Sequence, residues 1–148
     1  MQSENPNKNT SQHIFEQIKI YFENKPEVAA VYIFGSKAKG TEREKSDIDL
    51  AVLIDNDLLN KQFDLKNTYI KDLSRILRKD LDILIMNELG ESILSQIFKY
   101  GQCIVNQKPQ VLSEFKMVSI AMIAEFEYYR KITEKGFLRR IVEGNSDR

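Results

Sequence analysis

With 148 residues the chain most simply builds one domain with its own core. Its 22 Lys and Arg balance 22 Asp and Glu, so a broad basic footprint is absent and no direct nucleic-acid binding is expected. No run approaches the roughly 20 consecutive apolar residues of a membrane span, and the polar opening MQSENPNKNT lacks the apolar stretch of a signal peptide; a soluble, cytoplasmic protein without membrane contact is expected.

In chain order, residues 1–10 read as a disordered polar tail before a single domain over residues 11–143. Thr10 or Ser11 caps a structural helix to about Asn24, with Ile14, Phe15, Ile18, Tyr21 and Phe22 at three-four spacing. His13, the one histidine, has no histidine partner and reads as a surface residue rather than a ligand or base.

Val28 to Phe34 (VAAVYIF) is apolar, β-branched and aromatic, and predicts a buried strand. It ends in Gly35-Ser36, which presents bare backbone. Glycine permits a sharp turn and close approach of a ligand, while the serine hydroxyl and following N–H groups are able to grip phosphate oxygens.

Ten residues after Ser36 come Asp47, a spacer and Asp49, completing G-S-x10-D-x-D. At roughly 6% usage for each fixed residue, a chain of this size matches by chance about once in 10³. Ile48 to Ile54 (IDLAVLI) is the next strand, and residues two apart on a strand share a face, so Asp47 and Asp49 stand side by side. Such a pair at the mouth of an apolar strand is costly unless a cation sits between them, and Mg²⁺ is the expected ion.

Asp55-Asn56-Asp57 supplies turn and N-cap chemistry for a helix to about Arg78, with Leu59, Phe63, Ile70, Leu73 and Leu77 on its apolar face. Leu81 to Met86 (LDILIM) is a third short strand carrying Asp82. If it lies beside the Asp47/Asp49 strand, Asp82 completes a three-carboxylate cluster; the bland alternative leaves Asp82 facing water at the strand's start. Asp80, after Arg78-Lys79, lies outside the apolar run and reads as a turn residue.

Ser92 to Tyr100 predicts a helix stopped by Gly101, and Gln102 to Asn106 an edge strand. Cys103, the single cysteine, excludes an internal disulfide and reads as a buried thiol beside Ile104 and Val105. Pro109 opens a long helix to about Lys135, before Gly136, with a short fraying tail from Arg139. Its apolar residues run round more than one side, which asks for more than one partner surface: either the domain core and first helix, or another chain.

Two competing motifs fail. Gly35 and Gly40 have P-loop spacing, but Thr41 stands where that motif needs lysine. Asp47-Ile48-Asp49-Leu50-Ala51 lacks the third acid and central glycine of a calcium loop.

Gly35-Ser36, ten residues, Asp47 and Asp49, with a later Asp82 on a strand, resembles the nucleotidyltransferase superfamily of polymerase β, poly(A) polymerases and aminoglycoside nucleotidyltransferases. The small size, the segment Ile97-Phe98-Lys99-Tyr100-Gly101-Gln102-Cys103, and the long helix with Phe115 and Tyr128-Tyr129 are similar to the minimal nucleotidyltransferase (MNT) antitoxins of HEPN ribonuclease toxins. The resemblance implies an α/β (α+β) nucleotidyltransferase fold: a small mixed sheet of three or four strands flanked by helices, with a long C-terminal helix. It further implies transfer of AMP from ATP to a tyrosine of a HEPN toxin. Gly35, Ser36 and Lys39 would hold the nucleotide, Asp47 and Asp49 would bind two Mg²⁺, and Asp82 would ligate one and help deprotonate the attacking hydroxyl. Lys39 stands where relatives commonly carry arginine, which keeps the charge and loses the bidentate fork. The alternatives are an antitoxin that acts by binding alone, or a transferase for an aminoglycoside-like alcohol.

Overall fold

The computed structural model describes residues 6–35, 47–58 and 64–146. Its strands are β1 (Val28–Phe34), β2 (Ile48–Ile54), β3 (Leu81–Ile85) and β4 (Gln102–Asn106). They form one sheet in the order β3-β2-β1-β4, in which β1 runs antiparallel to β2 and β4 while β2 and β3 are parallel. The expected small mixed sheet is therefore present. The helices are α1 (Pro6–Glu23), α2 (Leu65–Leu77), α3 (Glu91–Tyr100) and α4 (Pro109–Ser146).

The strand sequences follow from their positions. β2 is buried at every residue except Asp49, because it is central and covered on both faces; it reads as an almost continuous apolar run. Alternate side chains divide between two cores. Val31, Ile33, Leu50, Val52 and Ile83 pack with Ile18 and Phe22 of α1 and Tyr69 and Leu73 of α2. On the other face Tyr32, Ala51 and Leu53 pack with Leu94 and Ile97 of α3 and Leu112 of α4. The phenol of Tyr69 donates to Glu27 (2.6 Å) and that of Tyr21 to Asp72 (2.7 Å). Both rings meet Phe22 edge to face, at 5.3 and 5.0 Å between centroids.

Polar side chains fasten one end of the sheet. Asn87 accepts from the Ile54 N–H (2.9 Å) and donates to the Ile54 carbonyl (2.8 Å). Gln107 donates to the carbonyls of Phe22 and Val28, both at 3.0 Å. Lys108 pairs with Asp55 at 2.7 Å, with both side chains half-buried. All of this lies at the end of β2 away from Asp49.

Several boundaries differ from the sequence reading. α1 starts at Pro6, so part of the expected disordered tail is helical; proline suits a first helical turn, where its missing N–H is not needed. Asn56–Leu58 is a 3-10 turn rather than the start of α2. The α2 cap is Asp64, which accepts from the Asn67 N–H at 3.1 Å; Leu59 and Phe63 lie outside the described residues. α4 runs through Gly136 to Ser146 instead of fraying. Each of its two glycines, Gly136 and Gly144, costs the helix about 1 kcal/mol without ending it, and the Arg139–Glu143 pair (3.7 Å) supports the turn between them. Cys103 is exposed rather than buried, on edge strand β4, while His13 is exposed as expected.

Phe22→Ala empties the centre of the α1–α2 core. A loss of about 3–5 kcal/mol is expected in urea unfolding; a loss below about 1 kcal/mol would show that the aromatic cluster is not what joins α1 to the sheet.

Candidate active site

β1 leaves the sheet at Gly35, and β2 enters it beside the same point. Phe34 is the cross-strand partner of Asp49. Gly35 has φ +77°, a conformation that disfavours any residue with a Cβ, and a Cβ built there would lie 2.5 Å from Oδ2 of Asp49. The glycine is thus required twice: by its backbone angle and by the carboxylate packed against it. The sequence marked Gly35 as a turn residue; its contact with Asp49 follows only from the antiparallel register.

On the other side of β2, Asp49 is the register partner of Asp82 on parallel β3. Paired residues on adjacent strands point to the same face, so the two carboxylates share a surface. Asp47 immediately precedes β2 and is exposed, as is Asp82, while Asp49 is half-buried. The carboxyl of Asp49 is held above the usual carboxylate range, first by burial, then by the charge of Asp82, then by that of Asp47. Asp82 and Asp47 therefore both act on Asp49. Asp82 is exposed near the start of β3, as the second sequence reading has it, and stands in register with Asp49. Asp80 contributes its backbone: its carbonyl accepts from the Ile48 N–H at 3.2 Å and fixes where β3 begins against β2. Ser36 and Lys39 lie outside the described residues.

Among the described residues no group of three or more histidine, cysteine, aspartate or glutamate side chains is placed to hold a metal ion. The donors are nevertheless of the type that suits Mg²⁺: hard carboxylate oxygens whose mutual repulsion a divalent cation relieves. Mg²⁺ keeps several waters and is commonly held by one or two carboxylates together with substrate phosphates, which an open cluster permits. Phe34 is the neighbour that sequence reasoning did not single out. Half-buried opposite Asp49, it is the apolar flank of the acid, and its position follows from strand alternation in VAAVYIF.

Two outcomes are expected from these contacts. A carboxyl whose folded-state pKa is raised favours the fold when protonated, and that contribution is lost as pH climbs from the ordinary carboxylate range through the raised value. Asp49→Asn should therefore raise Tm at pH 7 by on the order of 1–2 °C, screening included, with the difference vanishing near pH 3; a lower Tm at pH 7 would contradict the repulsion. Gly35→Ala should cost about 1–2 kcal/mol in urea unfolding, and an unchanged midpoint would show that the turn relaxes freely.

Comparison with known proteins agrees with this geometry. The family model described as Polymerase beta, Nucleotidyltransferase matches residues 16–110, more than half of the chain. A curated relative, Protein adenylyltransferase MntA of Shewanella oneidensis, is 30% identical over 86 residues, covering 57% of this chain and 59% of that one; the match thus spans less than two thirds of that relative. A chain of a toxin-antitoxin crystal structure with AMP-PNP superposes with a TM-score of 0.66 at 23% identity, over 84% of this chain and 98% of that one. A structure of tri-AMPylated Shewanella oneidensis HEPN toxin in complex with MNT antitoxin gives 0.64 at 22% identity, over 86% and 98%. At these identities the solved structures speak for the fold. With the matched family model, the strand-end glycine and the acids on β2 and β3, the chain belongs to the polymerase β nucleotidyltransferase family.

Proposed function

We propose that the chain is an antitoxin that transfers AMP from ATP to a tyrosine hydroxyl of a HEPN ribonuclease toxin and so silences it. The observation that carries this reading is the register match of Asp49 with Asp82, with Asp47 two residues ahead and Gly35 packed on Asp49. The curated relative is a protein adenylyltransferase, and a similar fold occurs in a complex with an AMPylated HEPN toxin.

Asp47 and Asp49 would hold Mg²⁺, two ions in the full reading, and Asp82 would contribute to one of them. When bound, such ions neutralise the triphosphate and align the attacking and leaving oxygens. The backbone at Gly35, with Ser36 and Lys39 beyond it, would bind the phosphates. The tyrosine oxygen bonds to the α-phosphorus, the bond from that phosphorus to the bridging oxygen breaks, and pyrophosphate leaves. Asp82, the more exposed of the paired acids, is assigned to take the hydroxyl proton.

Among the described residues no helix is long and apolar enough to cross a membrane. Exposed apolar side chains on α4, Met117 and Val118 among them, favour a second reading in which the chain neutralises its partner by contact alone.

ATP labelled at the α-phosphate, with Mg²⁺ and the neighbouring HEPN protein, separates the two. Label should appear on the toxin, and Asp49→Asn and Asp82→Asn should each lower the transfer rate by at least ~100-fold while toxin binding persists. Binding and neutralisation by both variants, with no transfer by the native chain, would replace the enzymatic reading with the contact reading.

A further inference from the structure

We infer that α4 pairs antiparallel with α4 of a second copy of this chain, about a two-fold axis beside residue 130. One side of this 38-residue helix belongs to the domain. Leu112 and Ser119 on it are buried, and Phe115 and Ile123 pack against the core beneath α3.

The opposite side of the helix has an order of its own. From Val118 to Val142 it presents residues at alternating spacings of three and four, the repeat by which two helices pack along a seam. Val118 is 61% exposed, Tyr128 63%, Ile132 49% and Val142 70%. Five of its eight positions are apolar (Val118, Ala121, Tyr128, Ile132 and Val142), and exposed apolar side chains in such a row mark an interaction surface.

The charges within the seam choose its partner. Glu125 stands in the first half, Lys135 and Arg139 in the second. A parallel pair would set Glu125 against Glu125 and Arg139 against Arg139. Reversing one helix pairs Glu125 with Lys135 of the second copy, and the same register then places Val118 against Val142 and Tyr128 against Ile132. Ala121 falls opposite Arg139 and leaves room for its aliphatic stem. That register brings the opposite charges together and the apolar residues face to face, which a parallel pair of copies does not do. Lys131 of both copies flanks the axis, where its long side chain reaches solvent. The seam spans roughly 36 Å at 1.5 Å per residue, a contact on the order of the 1,000 Å² that a specific association requires.

Sedimentation equilibrium of the full chain tests the pairing. A dimer is expected at about 100 µM. Ile132→Asp should yield a monomer with unchanged helical circular dichroism. Glu125→Lys should weaken the dimer about 10-fold, and adding Lys135→Glu should restore most of it. With Cys103→Ser as background, Val118→Cys together with Val142→Cys should oxidise to a covalent dimer. A native chain that is monomeric at this concentration, a dimer indifferent to Ile132→Asp, or a charge reversal that does not rescue would each overturn the pairing. So would a monomer whose binding to the HEPN protein is abolished by Ile132→Asp, since the seam would then be that partner's. AMP transfer is read separately and does not depend on the outcome.

Discussion

Two carboxylates placed in register on neighbouring strands repel each other, and the structure is arranged so that this repulsion is tolerated where it occurs. Asp49 and Asp82 face the same way across the parallel β2–β3 pair, with Asp47 just before the strand. Burial and its two acidic neighbours together push the Asp49 carboxyl upward. An apolar residue at 49 would relieve the fold of that repulsion, so the position is one where local stability and the retained residue disagree. Such disagreements are expected where a site has a task to perform.

What allows the disagreement is the other end of the sheet. Asn87, Gln107 and the Lys108–Asp55 pair fasten the strands there, and both faces of β1 and β2 are sealed by apolar side chains. The α2 crossover then returns the chain as β3 alongside β2, which is how an acid 33 residues after Asp49 becomes its neighbour. Gly35 closes the group from the β1 side. Its lack of a side chain is what lets the Asp49 carboxylate occupy its place.

Much of this was legible from residue order alone. The four strands, the glycine at the end of β1, and Asp47 with Asp49 at the head of β2 follow from apolar runs and their punctuation, and all four strands occur within a residue of where those runs begin and end. Asp82 was harder, because a lone acid on a short strand reads equally as a solvated start, and only the parallel register joins it to Asp49. The distinction between Asp80 and Asp82 is likewise one of strand position: the first is used through its carbonyl, the second through its placement beside β2. Helix ends were least legible. Asp64 rather than Asp57 caps α2, and Gly136 fails to stop α4, since local signals set preferences that several turns of favourable neighbours outweigh. Cys103 misled for a related reason: its apolar neighbours are buried, but it stands on an edge strand and is itself exposed.

The proposed chemistry has the acids of β2 and β3 meet at one cation, and paramagnetic broadening reads that meeting most directly. Substoichiometric Mn²⁺ added to isotope-labelled protein should selectively broaden the backbone amide signals of Gly35, Asp47, Asp49 and Asp82 together, with those of Ile54 and Asn87 at the far end of the sheet left sharp. Broadening that spares Asp82 while affecting Asp47 and Asp49, or that is spread over the acidic surface at large, would contradict the account.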